Sequence, residues 1–99
     1  MIISYKEGQP EEILSQIREK LGGRKLGQML QFHLEGGDLD VTIKKMGTSR
    51  LSFEQMSDGP SLRWELKSEK IALSHRAFKG EVLEKLTKVI QQTGGTVEG

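Results

Sequence analysis

The sequence predicts an α+β fold: a five-stranded antiparallel meander, with an N-terminal helix and a C-terminal helix packed on one face. Three features predict it. Between Gln28 and His75, apolar and polar residues alternate in five short segments; compact turn signals separate the segments; and the flanking stretches carry apolar residues at three- and four-residue spacing.

In the meander, Leu30, Phe32 and Leu34 alternate with Gln31, His33 and Glu35, and Leu39, Val41 and Ile43 alternate with Asp40, Thr42 and Lys44. Leu51 and Phe53, then Leu62, Trp64 and Leu66, then Ile71 and Leu73 continue the period of two that marks a half-buried strand. The turns fall at Gly36-Gly37, Met46-Gly47-Thr48, Ser57-Asp58-Gly59-Pro60 and Ser68-Glu69.

A one-residue slip would turn every side chain to the wrong face, so apolar-opposite-apolar matching predicts the register. Leu34 faces Leu39, Phe32 faces Val41 and Leu30 faces Ile43. Phe53 falls opposite Val41 and Trp64, Leu51 opposite Ile43 and Leu66, and Trp64 opposite Leu73. The outer face then carries a row of Met29, Lys44, Arg50, Lys67 and Lys70, in which the cations lie about 4.8 Å apart at the backbone. Like charges placed so are destabilising.

Before the meander, Ile2, Ile3 and Tyr5 suit a short sixth strand. Pro10 fits a first helical position, and Glu11 and Glu12 suit the positive end of the helix dipole. Ile13, Leu14, Ile17 and Leu21 share one face of that helix, which Gly22 is placed to cap. After the meander, Phe78, Val82, Leu83, Leu86, Val89 and Ile90 mark an amphipathic helix ending at Thr93-Gly94. Burying that face against the sheet contributes on the order of 10 kcal/mol gross, before entropy. Residues 1–94 read as a single domain, and 95–99, with little apolar content, as a disordered tail.

Composition narrows the function classes. There is no cysteine, so neither disulfides nor thiolate metal sites form, and a cytoplasmic location is the expectation. Ile2 and Ile3 are followed at once by polar residues, so no signal peptide or membrane span is expected. A net charge of +1 is not the excess usual in a dedicated nucleic-acid binder.

Candidate chemistry is sparse. Gly22-Gly23-Arg24-Lys25-Leu26-Gly27 resembles a phosphate loop in composition, but it follows a helix and leads into a strand, whereas phosphate binding needs glycines that open a helix. His33 is expected outward, opposite Asp40, and His75 inward, beside Leu62, so the two cannot share a metal. Asp40 and Glu54 form a carboxylate pair on an open face flanked by His33 and Arg63, where cross-strand neutralisation is the simpler account. No serine has a nucleophile-elbow context and neither histidine has an evident serine partner, so no catalytic activity, metal or cofactor is expected. Phe32, Phe53 and Trp64 face inward, leaving no outward aromatic on which a base could stack.

The basic row is what remains. Lys44, Arg50, Lys67 and Lys70 are expected to be joined at one end of the sheet by Arg24 and Lys25 from beyond the first helix, with Arg18 and Lys20 nearby. Glu35, Asp38, Asp40, Glu54 and Asp58 collect at the opposite end. Splayed, screened surface charges explain such a row without any partner. As a site, it predicts a non-catalytic interaction module binding an acidic protein surface, its own included, and next a sequence-independent nucleic-acid-backbone binder. A third expectation is a small apolar ligand between sheet and C-terminal helix, in a pocket lined by Phe32, Trp64 and Leu86.

Overall fold

The computed structural model describes residues 1–56 and 59–99. The elements are β1 (Ile2–Tyr5), α1 (Pro10–Leu21), α2 (Lys25–Met29), β2 (Leu30–Glu35), β3 (Asp38–Lys44), β4 (Thr48–Gln55), β5 (Leu62–Lys70), a 3-10 turn (Leu73–His75), α3 (Lys79–Gln92) and β6 (Gly95–Glu98). They form an α+β structure: a six-stranded open sheet in the order β2-β3-β4-β5-β1-β6, antiparallel throughout, with the three helices packed against it.

The helices form where the periodicity predicts. Pro10 opens α1, and Ile13, Leu14, Ile17 and Leu21 are all buried. Val82, Leu86, Val89 and Ile90 of α3 are buried, and Phe78 and Leu83 pack at the margin of the core. The extra helix α2 is a single turn and a half inserted after Gly22-Gly23. It crosses α1 so closely that a Cβ on Gly27 would sit 2.2 Å from the Leu21 carbonyl oxygen.

Four expectations are corrected. The segment carrying Ile71 and Leu73 is not a strand, and Ser68-Glu69 is not a turn. β5 runs on to Lys70, and Leu73 stands 77% exposed in the 3-10 turn. The place beside β5 goes instead to β1, which sets Ile3 opposite Trp64 and Tyr5 opposite Leu62, a better apolar match than Leu73 provides. Residues 95–98, expected to be disordered, form β6 along the other side of β1. Gly95 allows this, because a Cβ there would lie 2.7 Å from both Ile90 Cγ2 and Tyr5 Cζ. Tyr5 is further fixed by a 2.8 Å bond between its hydroxyl and Thr93 Oγ1; burial pushes its pKa up, and that bond pulls the other way.

The register between β2 and β3 is as predicted, Leu34 to Leu39, Phe32 to Val41 and Leu30 to Ile43. Between β3 and β4 it is displaced by two residues: Leu39 faces Phe53, Val41 faces Leu51, and Ile43 faces Ser49. A two-residue displacement keeps every side chain on its face, which is why alternation alone cannot detect it. Between β4 and β5, Ser52 pairs with Ser68 but Phe53 pairs with Leu66, so Lys67 is left unpaired in a bulge. The Ser57-Asp58 half of the expected β4–β5 turn lies outside the described residues.

Candidate interaction surface

The helices leave one face of the sheet open, and the revised register decides which charges meet there. Arg50 is directly opposite Lys70 across β4 and β5, and Thr42 flanks Arg50 on β3. Lys44 pairs with Thr48 one step nearer the β3–β4 turn, and Lys67 occupies the bulge. The straight row of four cations is therefore a pair, Arg50 and Lys70, with Lys44 and Lys67 to either side. All four are exposed, and among the described residues none has a carboxylate within ion-pair distance. Glu69 lies beside Lys70 in sequence, but it pairs with Lys79 at 3.0 Å.

Arg24 and Lys25 do not join this group. They line a recess of about 280 Å³ on the helical side, with Leu21 and Leu26 at its base and Lys85 and Lys88 of α3 across from them. Lys85 and Lys88 are also paired along their own helix with Glu81 and Glu84. Arg18 donates to the Phe32 carbonyl at 2.8 Å, tying α1 to β2 at the edge of the sheet.

The acidic groups are also rearranged. Asp40 faces His33 as predicted, but on its other side it meets Ser52. The expected Asp40–Glu54 neighbours are replaced by Glu54 directly opposite Glu65, in a row that continues through Ile2 to Glu98. Glu35 and Asp38 pair at the Gly36-Gly37 turn, where an Asp38 carboxylate oxygen accepts from the Gln55 backbone N–H at 2.9 Å. The open face thus carries positive charge toward the β3–β4 turn and a row of carboxylates at Glu54, Glu65 and Glu98 farther along, beyond which the exposed Arg63 adds a single cation. No group of three or more metal-ligating side chains occurs among the described residues.

Ser49 was not singled out in the sequence, and His75, expected inward beside Leu62, is inward but lies against Ser49 and Lys45. Ser49 points inward and is fully buried, and His75 is 1% exposed. The Ala72 N–H donates to Ser49 Oγ at 2.8 Å. His75 Nε2 lies 2.6 Å from the Lys45 carbonyl, which can only accept, so Nε2 carries the proton. On the other side of the ring, Nδ1 and the Ser49 hydroxyl are hydrogen-bonded at 2.5 Å. His75 does have a serine partner, correcting the expectation, but both groups are sealed from solvent and every polar atom is satisfied. This geometry suits a structural clasp between the β3–β4 hairpin and the 72–78 segment. The Phe78 ring stacks against His75 at 5.2 Å, and Lys45 Nζ sits 5.8 Å above the same ring.

Trp64 and Leu86 are 0% and 2% exposed, so two of the three side chains expected to line an apolar ligand chamber are closed core, while the third, Phe32, is half-buried and lines an open recess with Arg18 and Leu21 of α1 and Gly27 of α2. The signal that could have found the clasp is a pairing: an inward serine and an inward histidine, each of which alone violates the apolar pattern. No protein-family model, curated protein or solved structure matches this chain.

Proposed function

We propose that the protein is a non-catalytic interaction module that binds an acidic protein surface through the cationic end of its open sheet face. The observation that carries this reading is Arg50 opposite Lys70. Like charges directly across a ladder are destabilising, and here no carboxylate among the described residues offsets them. Carboxylates from a partner would relieve that repulsion. Lys44 and Lys67 widen the contact, whereas Arg24 and Lys25 face the helical side and lie outside it.

The mixed signs on the face favour a protein over a nucleic-acid backbone. A phosphate chain following the sheet past Arg50 and Lys70 would meet Glu54 and Glu65, and uniform negative charge would be repelled there. A protein surface can match both signs.

The test is an amide NMR titration with a glutamate-only peptide and, separately, a generic DNA duplex, at about 50 and 200 mM salt. The expected result is peptide-induced shifts centred on Lys44, Arg50, Lys67 and Lys70, and affinity at least about tenfold weaker in the Arg50→Glu/Lys70→Glu variant. Unchanged affinity in the variant would overturn the reading. Stronger, steeply salt-dependent shifts with the duplex would replace it with backbone binding of nucleic acid.

A further inference from the structure

The same end of the molecule presents a second kind of exposed group. Among the described residues the large apolar side chains standing in solvent are Met46 (89% exposed), Leu73 (77%) and Met56 (44%). The first two belong to adjoining segments, because Ser74 Oγ donates to the Met46 carbonyl at 2.8 Å. Met46 is also the single non-glycine residue at positive φ, 53°, among the described residues. That conformation costs an L-residue about 1 kcal/mol. Glycine or asparagine at position 46 and any polar residue at 73 would remove both penalties, yet the chain places methionine and leucine there.

Neither side chain rides on a loose loop. The carbonyls of Lys45 and Met46 are held by His75 and Ser74, and beneath them the buried Ser49–His75 clasp joins both segments. Lys44, Lys45 and Arg76 flank the two apolar groups in sequence, all exposed, and the cationic surface continues onto the sheet face at Arg50 and Lys70. Methionine is favoured at interfaces because its flexible thioether adapts to varied surfaces.

We infer that this end of the sheet is an anchor site for an acidic polypeptide segment bearing aliphatic side chains, which settle against Met46 and Leu73 while its carboxylates meet Lys44, Arg50 and Lys70. The inference rests on the proposed function and names the partner's chemistry. Charge and apolar exposure together would also suit an anionic lipid surface, but the layout favours a chain. The turn and the Arg50–Lys70 pair lie toward one end of the strands, whereas Glu54 and Glu65 stand farther along the same face, and a flat anionic surface spread over that face cannot avoid those carboxylates. An extended segment laid from the turn onto the face can.

The experiment compares a glutamate-only peptide, a peptide of equal length with leucine at every third position, and phosphatidylcholine vesicles containing phosphatidylserine. Each is titrated against the wild-type chain and a Met46→Gly/Leu73→Ser variant, whose changes fall on exposed turns and whose folding is checked by circular dichroism. The leucine-containing peptide is expected to bind at least about tenfold tighter than the glutamate-only one, and the variant to erase that difference while leaving glutamate-only binding unchanged. Equal affinity for the two peptides in the wild type overturns the inference and leaves the proposed function standing. No binding of either peptide overturns both. Vesicle binding that is stronger than peptide binding and is lost in the variant overturns the polypeptide assignment in favour of a lipid surface.

Discussion

The two turns at opposite ends of β3 solve the same geometric problem in different ways. At the β2–β3 turn, Gly36 and Gly37 take φ values of 60° and 92°, which cost glycine little. The buried Trp64 donates its Nε1–H to the Gly37 carbonyl at 2.8 Å, fastening the turn directly to the core. At the β3–β4 turn the left-handed position is occupied by Met46, exposed and strained, and the fastening is a buried polar relay through Ser49 and His75. The first turn is built from residues that minimise free energy. The second carries strain and exposed apolar surface that its buried clasp must offset, a pattern expected where a surface is kept for contact.

The comparison breaks most sharply at the clasp. Replacing Ser49 with alanine leaves the Ala72 N–H and His75 Nδ1 without a partner in a dry site, and each such loss costs about 1–3 kcal/mol. Ser49→Ala is therefore expected to lower urea-unfolding stability by about 2–4 kcal/mol. A loss under about 0.5 kcal/mol would mean the clasp does not hold the turn.

The turns themselves should respond with opposite signs. Met46→Gly removes left-handed strain and is expected to stabilise by about 1 kcal/mol, while Gly36→Ala introduces it, with no steric clash within 4 Å, and should destabilise by about the same amount. Equal signs in urea unfolding would show that the two turns do not differ as described.

A smaller effect tests the sheet's other half. Burial raises the pKa of Tyr5 above its ordinary value of 10.0, so the folded chain holds that proton after the unfolded chain has released it. Its contribution is full below pH 10.0 and is lost as pH rises through the folded value, so stability falls on the alkaline side. Tyr5→Phe should flatten this alkaline fall in urea unfolding followed from neutral pH upward; an unaltered profile would assign it to other groups.

How much of this was legible in the sequence follows from what each element depends on. The β2–β3 hairpin was readable residue by residue, because its turn fixes the register and its apolar residues face one another. The displacement of β4 was hidden because it is set by an inward serine that makes sense only once His75 is placed beside it. β1 and β6 could not be placed, since pairing between Ile3 and Val97 leaves no local trace. For the candidate site, Arg50 and Lys70 were read into one row but two strands apart with Lys67 between them, and only the run of β5 to Lys70 sets them opposite each other; Arg24 and Lys25 were carried to the helical side by α2, a turn too short to show a periodicity. Met46 looked like a turn residue and Leu73 like core; their exposure belongs to the folded form alone.

The position of β1 between β5 and β6 has a mechanical consequence. Ile2 and Glu98 face one another at the same end of an antiparallel pair, and Tyr5 and Gly95 at the other. A force applied through residues 1 and 99 would not shear that ladder but unzip it, loading Ile2 and Glu98 first and then each following pair alone. Under tension the sheet yields at β6 one rung at a time, while the β2–β3–β4 ladders and the clasped turn beside them bear no load until β1 has let go of β6.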